Sequence, residues 1–402
     1  TMQHKLSRFG LGFAAGLLAL SGLASQSAVA SDVQIYGQLD YGLIYKDGKG
    51  APATFTMDSG VDVSTLWGIR VVEELDEDKY VRVVLESGFD DGTGQINNGH
   101  ANSTSDFFSR ESALTIGSKS IGEITFGRQG GFLGSTGTYA QWAAMGMNPM
   151  QSNAADAALL GAFDNSPCID NAIVFKSRDL GGLTLLGMYS NGVSSESGSF
   201  SKDSHIYALA AGYKHADFSL SAIWQMQTWP NSKTAAQSED AKPTHIFFLG
   251  AGKNFGDFRV LVAYEHVENG RRVFGGPNSL QVADFFGSEK GADGKTLNQR
   301  SDEGFRVDSF SIGGFTHLGP GTIHASFKVA HAEWQGEDVA DEYDTDGTRL
   351  VYATRYCYPL SKRTQLYAIA SYGDGSGLFD NTATTQNVAT RVFAGFGIHT
   401  KF

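Results

Sequence analysis

The chain has 402 residues, of which 41% are hydrophobic and 12% aromatic, with 50 glycines, 8 prolines and 2 cysteines. This much apolar surface excludes a disordered chain, and two cysteines exclude a disulfide scaffold. The net charge of −12 excludes a typical nucleic-acid-binding protein, which needs an excess of lysine and arginine. The mean hydropathy of −0.20 is that of a soluble protein, but transmembrane β-barrels give similar values because half of each strand is polar.

Residues 1–30 predict a cleaved secretory signal peptide. The basic residues His4, Lys5 and Arg8 are followed by the short apolar segment Leu11–Leu23, and 28–30 form a cleavage site of small residues. A buried N-terminal helix is the alternative, but it does not explain the order of the basic, apolar and small-residue parts. We therefore expect this segment to direct the chain across the inner membrane and to be removed.

Downstream of residue 30, apolar and polar residues alternate with period two, which predicts strands with one apolar and one polar face. The alternation is clear over 33–41, 81–86, 258–265, 323–329 and 391–402. In the last of these segments, Phe396 and Ile398 share the parity of the terminal Phe402, whereas His399 has the other parity. No stretch approaches the ~20 apolar residues of a transmembrane helix.

The connections between these strands alternate between short turns and long polar segments. Seven short turns are predicted at 75–79, 118–122, 177–181, 215–217, 255–257, 318–321 and 360–363. Eight long segments are predicted at 46–63, 90–105, 130–166, 191–203, 228–243, 267–304, 333–348 and 374–387. Together these connections join sixteen antiparallel strands. Short turns on one rim and long loops on the other are typical of an outer-membrane barrel.

A secreted β-sandwich or a β-propeller is the alternative all-β fold. Neither explains the contrast between the two rims, and a propeller would repeat at about 40–50 residues. We therefore predict that residues 31–402 form one domain, a 16-stranded antiparallel transmembrane β-barrel with a long third loop.

Several short motifs occur in the order found in the Gram-negative general porin family, whose members are trimeric 16-stranded barrels. The chain resembles this family at Ile35–Asp40, Leu85–Phe89, Thr125–Gln129, Asp170–Ile173, Leu360–Thr364 and Phe402. The resemblance implies a homotrimeric channel in the outer membrane, among lipid and lipopolysaccharide, for passive diffusion of small hydrophilic solutes and ions. It implies no enzymatic activity and no cofactor or metal, and it implies that Phe402 is part of the signal read by the barrel-assembly machinery.

The resemblance also implies a constriction in which acids on an inward-folded third loop face arginines on the wall. The corresponding loop, about 130–166, contains Asp156 and Asp164. Strand parity turns inward three arginines that would form the basic wall, Arg70, Arg82 and Arg110. Glu86 shares the inward parity, and we expect it to hold a wall arginine in place. The alternative is that these side chains are solvated and have no role in selectivity.

Other positions are more open to interpretation. Arg128 shares parity with lipid-facing residues, which suggests the loop base or a subunit contact. The resemblance places Leu66 and Cys168 where many relatives have wall arginines, so weak ion selectivity or a channel adapted to less polar solutes is one hypothesis; a loop whose apolar residues pack on the wall is the other. Cys168 and Cys357 fall on strands eight apart in a ring of sixteen, which predicts two free thiols.

A substrate-specific porin and an outer-membrane enzyme are the alternative functions. A substrate-specific porin for sugars or organic anions differs from a general porin only in its loop and lumen side chains. An outer-membrane enzyme is disfavoured because the ten histidines are scattered and none lies in a recognisable nucleophile setting. The acidic segment 338–346 lacks the bidentate glutamate of a calcium loop, so we interpret it as a solvated loop.

Overall fold

The computed structural model describes residues 32–48, 51–96, 107–134, 137–141, 148–151, 168–191, 204–229, 240–273, 280–380 and 390–402. Its strands are β1 (Asp32–Gly48), β2 (Ala51–Ser59), β3 (Leu66–Glu74), β4 (Lys79–Gly88), β5 (Glu111–Ser118), β6 (Gly122–Gly130), β7 (Cys168–Ser177), β8 (Leu183–Ser190), β9 (Ile206–His215), β10 (Phe218–Gln227), β11 (Thr244–Phe255), β12 (Phe258–Gly270), β13 (Arg272–Val273), β14 (Leu280–Gln281), β15 (Phe305–Leu318), β16 (Gly321–Trp334), β17 (Asp346–Pro359), β18 (Thr364–Gly377) and β19 (Thr390–Lys401). Two short helices, α1 (Val282–Phe286) and α2 (Leu297–Arg300), lie between β14 and β15. Within the described ranges, no helix is both long and apolar enough to cross a membrane.

All strands except β13 and β14 belong to one antiparallel sheet that closes on itself, because β1 pairs with β19. β1 also pairs with β2 through Tyr41–Gly48 and with β3 through Asp32–Gln38. β2 and β3 are therefore two halves of the second barrel strand. The described residues thus form a closed 16-stranded barrel, and the predicted fold is confirmed.

The seven short turns lie where the alternation placed them. His215 pairs with Phe218, and Phe255 pairs with Phe258, so two-residue turns join these strands. Two-residue hairpin turns require positive φ, and the chain adopts it at Ala216 (49°) and Gly256 (62°). One rim of the barrel is therefore made of tight hairpins.

The prediction of a long loop at 46–63 is wrong. β1 continues to Gly48, and β2 begins at Ala51 and pairs with it, so most of this polar segment is strand. The side chains of Phe55 and Met57 are 65% and 64% exposed. The regular strand is instead interrupted at 60–65, where Gly60 has a φ of 70°. Local composition suggested a loop, but pairing with β1 satisfies the backbone groups of 51–59.

The two faces of the barrel wall differ in polarity. On β19, Phe396 and Ile398 are exposed on the outer face, whereas His399 is buried on the inner face. The same division holds on β5, where Leu114 and Ile116 are exposed. An apolar outer face and a polar inner face explain why the mean hydropathy is low although the barrel has a broad apolar surface.

Aromatic rings cover several strand glycines from the neighbouring strand. In register pairs, Tyr36 lies opposite Gly68, Tyr80 opposite Gly117, and Tyr367 opposite Gly397. A Cβ atom on any of these glycines would lie within 2.6 Å of the tyrosine ring or its hydroxyl. These strand glycines therefore leave room for a cross-strand ring, a pairing that stabilises glycine in sheets.

At the rim of the long connections, aromatic side chains form a buried cluster: Phe285, Phe286, Phe305, Trp334 and Phe379. The ring centroids of Phe305 and Trp334 are 4.9 Å apart. In the same region, the buried Arg271 donates hydrogen bonds of 2.8, 2.6 and 3.2 Å to the carbonyls of 301, 302 and 303. Burial lowers the pKa of Arg271 to about 10, so it is still cationic at neutral pH. Arg271 thus holds residues 301–303 at the end of this connection against its start.

Candidate functional site

The third loop, residues 131–167, connects β6 to β7, and its first part folds back onto the inner wall. Phe132 and Leu133 are buried in the main apolar cluster. Tyr139 is fully buried, and its hydroxyl donates to Glu123 Oε1 at 2.9 Å and accepts from Arg82 Nη2 at 3.1 Å. These contacts fix the loop to the inner face of barrel strands three to five.

A second part of the third loop contacts a different wall. His324 Nδ1 on β16 lies 2.9 Å from the carbonyl oxygen of Pro149, and Arg355 on β17 donates to the carbonyl oxygen of Met150 at 3.1 Å. A Cβ atom on Gly313 of β15 would lie 2.7 Å from the ring of Pro149, so the absence of a side chain there permits the contact.

These two attachments lie on opposite sides of the barrel. The third loop leaves from β6, the fifth barrel strand, and its described residues 149–150 contact the thirteenth and fourteenth. Strands five and thirteen are half of the ring apart. The third loop therefore crosses the lumen and narrows it, and the expected inward fold of this loop is confirmed.

Two of the three wall arginines predicted from parity are buried in ion pairs. Arg82 Nη1 lies 3.1 Å from Glu123 Oε2, and Arg110 Nε lies 2.6 Å from Glu86 Oε1. Tyr36 donates its hydroxyl to the other oxygen of Glu86 at 3.0 Å. In each pair a carboxylate compensates the guanidinium charge. Arg82 also supports the third loop through Tyr139.

Arg70 differs from the other two arginines. It is exposed, and it pairs in register with Val84 of β4, whose side chain is buried on the inner face. Within the described ranges, no acidic side chain forms an ion pair with it. Asp156 and Asp164, the predicted acidic side of the constriction, lie outside the described residues.

Arg128 lies at the base of the third loop. It donates from Nε to the carbonyl oxygen of Ser109 at 2.7 Å and forms an ion pair with Asp170. Cys168 and Cys357 are both buried, and neither is part of a disulfide. The register pairs Cys168 with Gly130, so this thiol also lies where the loop meets the wall.

A second polar cluster, which the sequence interpretation missed, lies where the second barrel strand is interrupted. Asp62 Oδ2 accepts a hydrogen bond from Arg355 Nη2 at 2.5 Å and lies 3.2 Å from His399 Nδ1. Asp40 Oδ1 accepts from the Tyr367 hydroxyl at 2.7 Å. These residues come from β1, β17, β18, β19 and the segment 60–65, and the cluster ties that segment to the inner wall.

Part of this cluster was predictable. Strand parity turns Asp40, Arg355 and His399 inward, and a census of inward charges on every strand would have found them. Asp62 was not predictable from parity because it lies in the interruption, where the period of two does not hold. Its position depends on the Asp40 carboxylate, which accepts from the backbone amides of Asp62 and Val63 at 2.8 and 2.6 Å.

In the described part of the chain, one group of side chains has metal-ligand spacing: Asp40, Asp62 and His399 offer ligand atoms within 4.8 Å of one another. The carboxylates, however, already accept backbone amides, a tyrosine hydroxyl, an imidazole and a guanidinium. A cation would have to compete with the bound guanidinium. We therefore interpret this group as a structural ion-pair cluster.

A closed barrel with an apolar outside, a polar inside and a loop across its lumen is a transmembrane pore. The family model for Gram-negative porins matches residues 14–378, and the chain belongs to this family. The resemblance of the sequence to this family is therefore confirmed. Membership makes the protein an outer-membrane channel for solute diffusion, and a channel rather than an enzyme.

Relatives and solved structures agree with this assignment. The chain is 26% identical over 420 residues to an outer membrane porin protein of Bordetella pertussis, covering 95% of this chain and 97% of the relative. Its fold is similar to that of the anion-selective porin from Comamonas acidovorans, with a TM-score of 0.63 and 17% identity over 93% of this chain and 100% of the other. It is also similar to OmpT of Vibrio cholerae in its trimer form, with a TM-score of 0.58 and 15% identity over 93% and 99% of the two chains.

Proposed function

We propose that this channel passes small hydrophilic solutes and ions through the space between the third loop and the wall that carries Arg70. The observation that carries the proposal is the loop crossing, because residues 149–150 contact the wall opposite the strand from which the loop leaves. A loop held at both sides is a fixed constriction, and a fixed constriction sorts solutes by size.

The charges at the constriction have separate roles. Arg70 presents the exposed positive charge of the wall. Arg82 and Arg110 have their charges compensated by Glu123 and Glu86, and they stabilise the wall and the base of the loop. The opposing acids are Asp156 and Asp164 of the third loop, as the family resemblance implies. Because two of three wall arginines are compensated, this part of the wall produces a weak field.

The proposed assembly is a homotrimer inserted by the barrel-assembly machinery after removal of residues 1–30. A trimer form of a fold relative supports the oligomeric state. Phe402 supports the assembly role, since its backbone pairs with Gly37 at 3.0 and 3.3 Å and its side chain stays 54% exposed on the outer face. Heat-modifiable migration on a gel tests trimerisation, because a trimer resists dissociation until it is heated.

Liposome swelling with a size series of neutral sugars, and with acids and amines of matched size, tests the channel function. A general pore gives rates that fall smoothly with solute size, and this is the expected result. A saturable outlier would instead establish the second candidate, a pore specific for organic anions or sugars. The fold relative named as an anion-selective porin makes organic anions the first class to test. Liposomes that do not swell with any solute would overturn the proposal.

A further inference from the structure

A cavity of about 350 Å³ lies in the lumen beneath the third loop, on the side of the short turns. Val63 and Gln151 lie at its upper edge, and the inner face of β15–β19 forms its wall. Five cationic or protonatable side chains line it: His317, His324, Arg355, His399 and Lys401. Among the described residues, Asp257 is the carboxylate in the lining. Protonation of the histidines therefore shifts the balance of charge in the lining towards binding an anion.

Hydrogen bonds fix the orientation of two of the imidazoles. His324 Nδ1 faces the carbonyl oxygen of Pro149, and His399 Nδ1 faces the carboxylate of Asp62. Both of these partners are acceptors, so Nδ1 must carry the proton in each ring. Within the described ranges, neither Nε2 atom has a hydrogen-bond partner. Each ring therefore presents Nε2 as its open nitrogen, which accepts when the ring is neutral and donates when it is protonated.

The charged and titratable groups around His324 lie on β15, on β17 and in the segment 60–65, which carries Asp62. The neighbouring strand β15 contributes His317, and β17 contributes Arg355. The third loop contributes a carbonyl oxygen rather than a charge. Because Asp62 compensates Arg355, protonation of the imidazoles decides whether this side of the cavity is nearly neutral or positive.

The charges around His399 come from its own strand and from the interrupted segment. Asp62 accepts from its Nδ1, Asp40 lies beside Asp62, and the Tyr367 ring centroid is 6.5 Å away. Lys401 lines the same cavity two residues further along β19. A protonated His399 therefore keeps its bond to Asp62 on one side and offers Nε2–H on the other.

We propose that this cavity binds small carboxylate anions, and that protonation of His324 and His399 strengthens binding. The inference rests on the proposed channel function and names a solute class for it. Neutral imidazoles present acceptors to a carboxylate and repel it, whereas protonated imidazoles donate charge-assisted hydrogen bonds. Binding therefore strengthens as the pH falls, and the two pH values of the test, about 8 and about 5.5, lie on either side of the ordinary pKa of an imidazole.

The test measures how succinate reduces the chloride current of the channel in a planar bilayer at the two pH values. The wild-type channel is expected to bind succinate about tenfold more tightly at the lower pH, a change that corresponds to ~1.4 kcal/mol. The uncharged 1,4-butanediol, which has a similar length, is expected to have no effect at either pH. The double variant His324→Gln with His399→Gln is expected to lose the pH dependence.

His331→Gln is the matched control, because His331 lies on the same strand as His324 but is exposed on the outer face. This variant should keep the wild-type pH dependence. Succinate binding that does not change with pH, or that persists unchanged in the double variant, would overturn the proposal. Chloride conductance of each variant is measured first. A conducting channel without succinate binding contradicts only this inference, whereas a wild-type protein without conductance contradicts the channel function itself.

Discussion

At the scale of single residues, an arginine that faces the lumen does not by itself make the lumen positively charged, because a neighbouring carboxylate can compensate it. Parity along β4 turns both Arg82 and Glu86 inward, but it says nothing about their partners. Those partners come from other strands, since Glu123 lies on β6 and Arg110 precedes β5. Register between strands decides which charges meet, and one sequence does not give that register.

Arg70→Gln should change ion selectivity without changing stability. The side chain is exposed and has no ion pair among the described residues, so its loss removes a lumen charge and little packing. The reversal potential in a salt gradient should shift towards cations, and the melting temperature should stay within about 2 °C of wild type. An unchanged reversal potential would mean that Arg70 does not face the conducting path.

Glu123→Gln, in contrast, should change both stability and ion selectivity. It leaves Arg82 buried beside Tyr139 without its carboxylate, and breaking a buried ion pair costs about 3–5 kcal/mol. The melting temperature should therefore fall strongly, and the reversal potential should show increased selectivity for anions. Glu77→Gln is the control, because Glu77 is an exposed side chain in a short turn. Equal stability of the two variants would contradict the role of the pair.

Tyr139→Phe should loosen the first attachment of the third loop. The substitution keeps the ring but removes a hydroxyl that bonds to Glu123 and Arg82, at a cost of about 1–3 kcal/mol. Single-channel recordings should show increased current fluctuations as the loop moves. Tyr207→Phe, on the exposed outer face, should leave the current fluctuations at the wild-type level. Identical noise in both variants would show that the loop does not depend on this hydroxyl.

At the scale of elements, the pairing of glycine with aromatic rings explains several of the strand glycines. The register between strands shows why several strand glycines are needed. The pairs Tyr36–Gly68 and Tyr80–Gly117 place a ring over the glycine of the neighbouring strand. This pattern could not be predicted from the sequence, because the two members of a pair are more than thirty residues apart.

Gly37→Ala should impair assembly at the point where the barrel closes. The new Cβ atom would lie 2.4 Å from the ring of Phe402 and 2.8 Å from the carbonyl oxygen of Leu66. The terminal ring must then move, so folded protein should accumulate more slowly in the outer membrane. Gly187→Ala is the control, because its nearest neighbour would be 3.7 Å away. Normal accumulation of the Gly37 variant would show that the terminal ring tolerates displacement.

The strand boundaries show how far the sequence predicts the elements. Short turns were located correctly because a hairpin is a local feature with its own residue preferences. The segment 46–63 was misassigned because its glycine and polar residues resemble a loop, whereas the strand 51–59 is held by pairing with β1. The inward displacement of 60–65 depends on Asp40, which lies twenty residues earlier in the chain.

At the scale of the whole molecule, the barrel follows from periodicity and the constriction does not. A period of two over many segments predicts a closed sheet with two unlike faces. The path of the third loop depends instead on contacts such as Tyr139 with Arg82 and Pro149 with His324. These contacts link residues 57 and 175 positions apart, and no local pattern encodes them.

The far attachment of the third loop has an evolutionary consequence. His324 and Arg355 hold this part of the loop by the carbonyl oxygens of Pro149 and Met150. Every amino acid supplies such an oxygen, so these two hydrogen bonds do not depend on which residues accept them, although the buried Met150 side chain also packs against the wall. Mutation of loop residues that do not pack on the wall can therefore alter what the loop presents to passing solutes while its route is preserved. In this barrel, the path of the third loop and the chemistry by which it selects solutes are free to evolve separately.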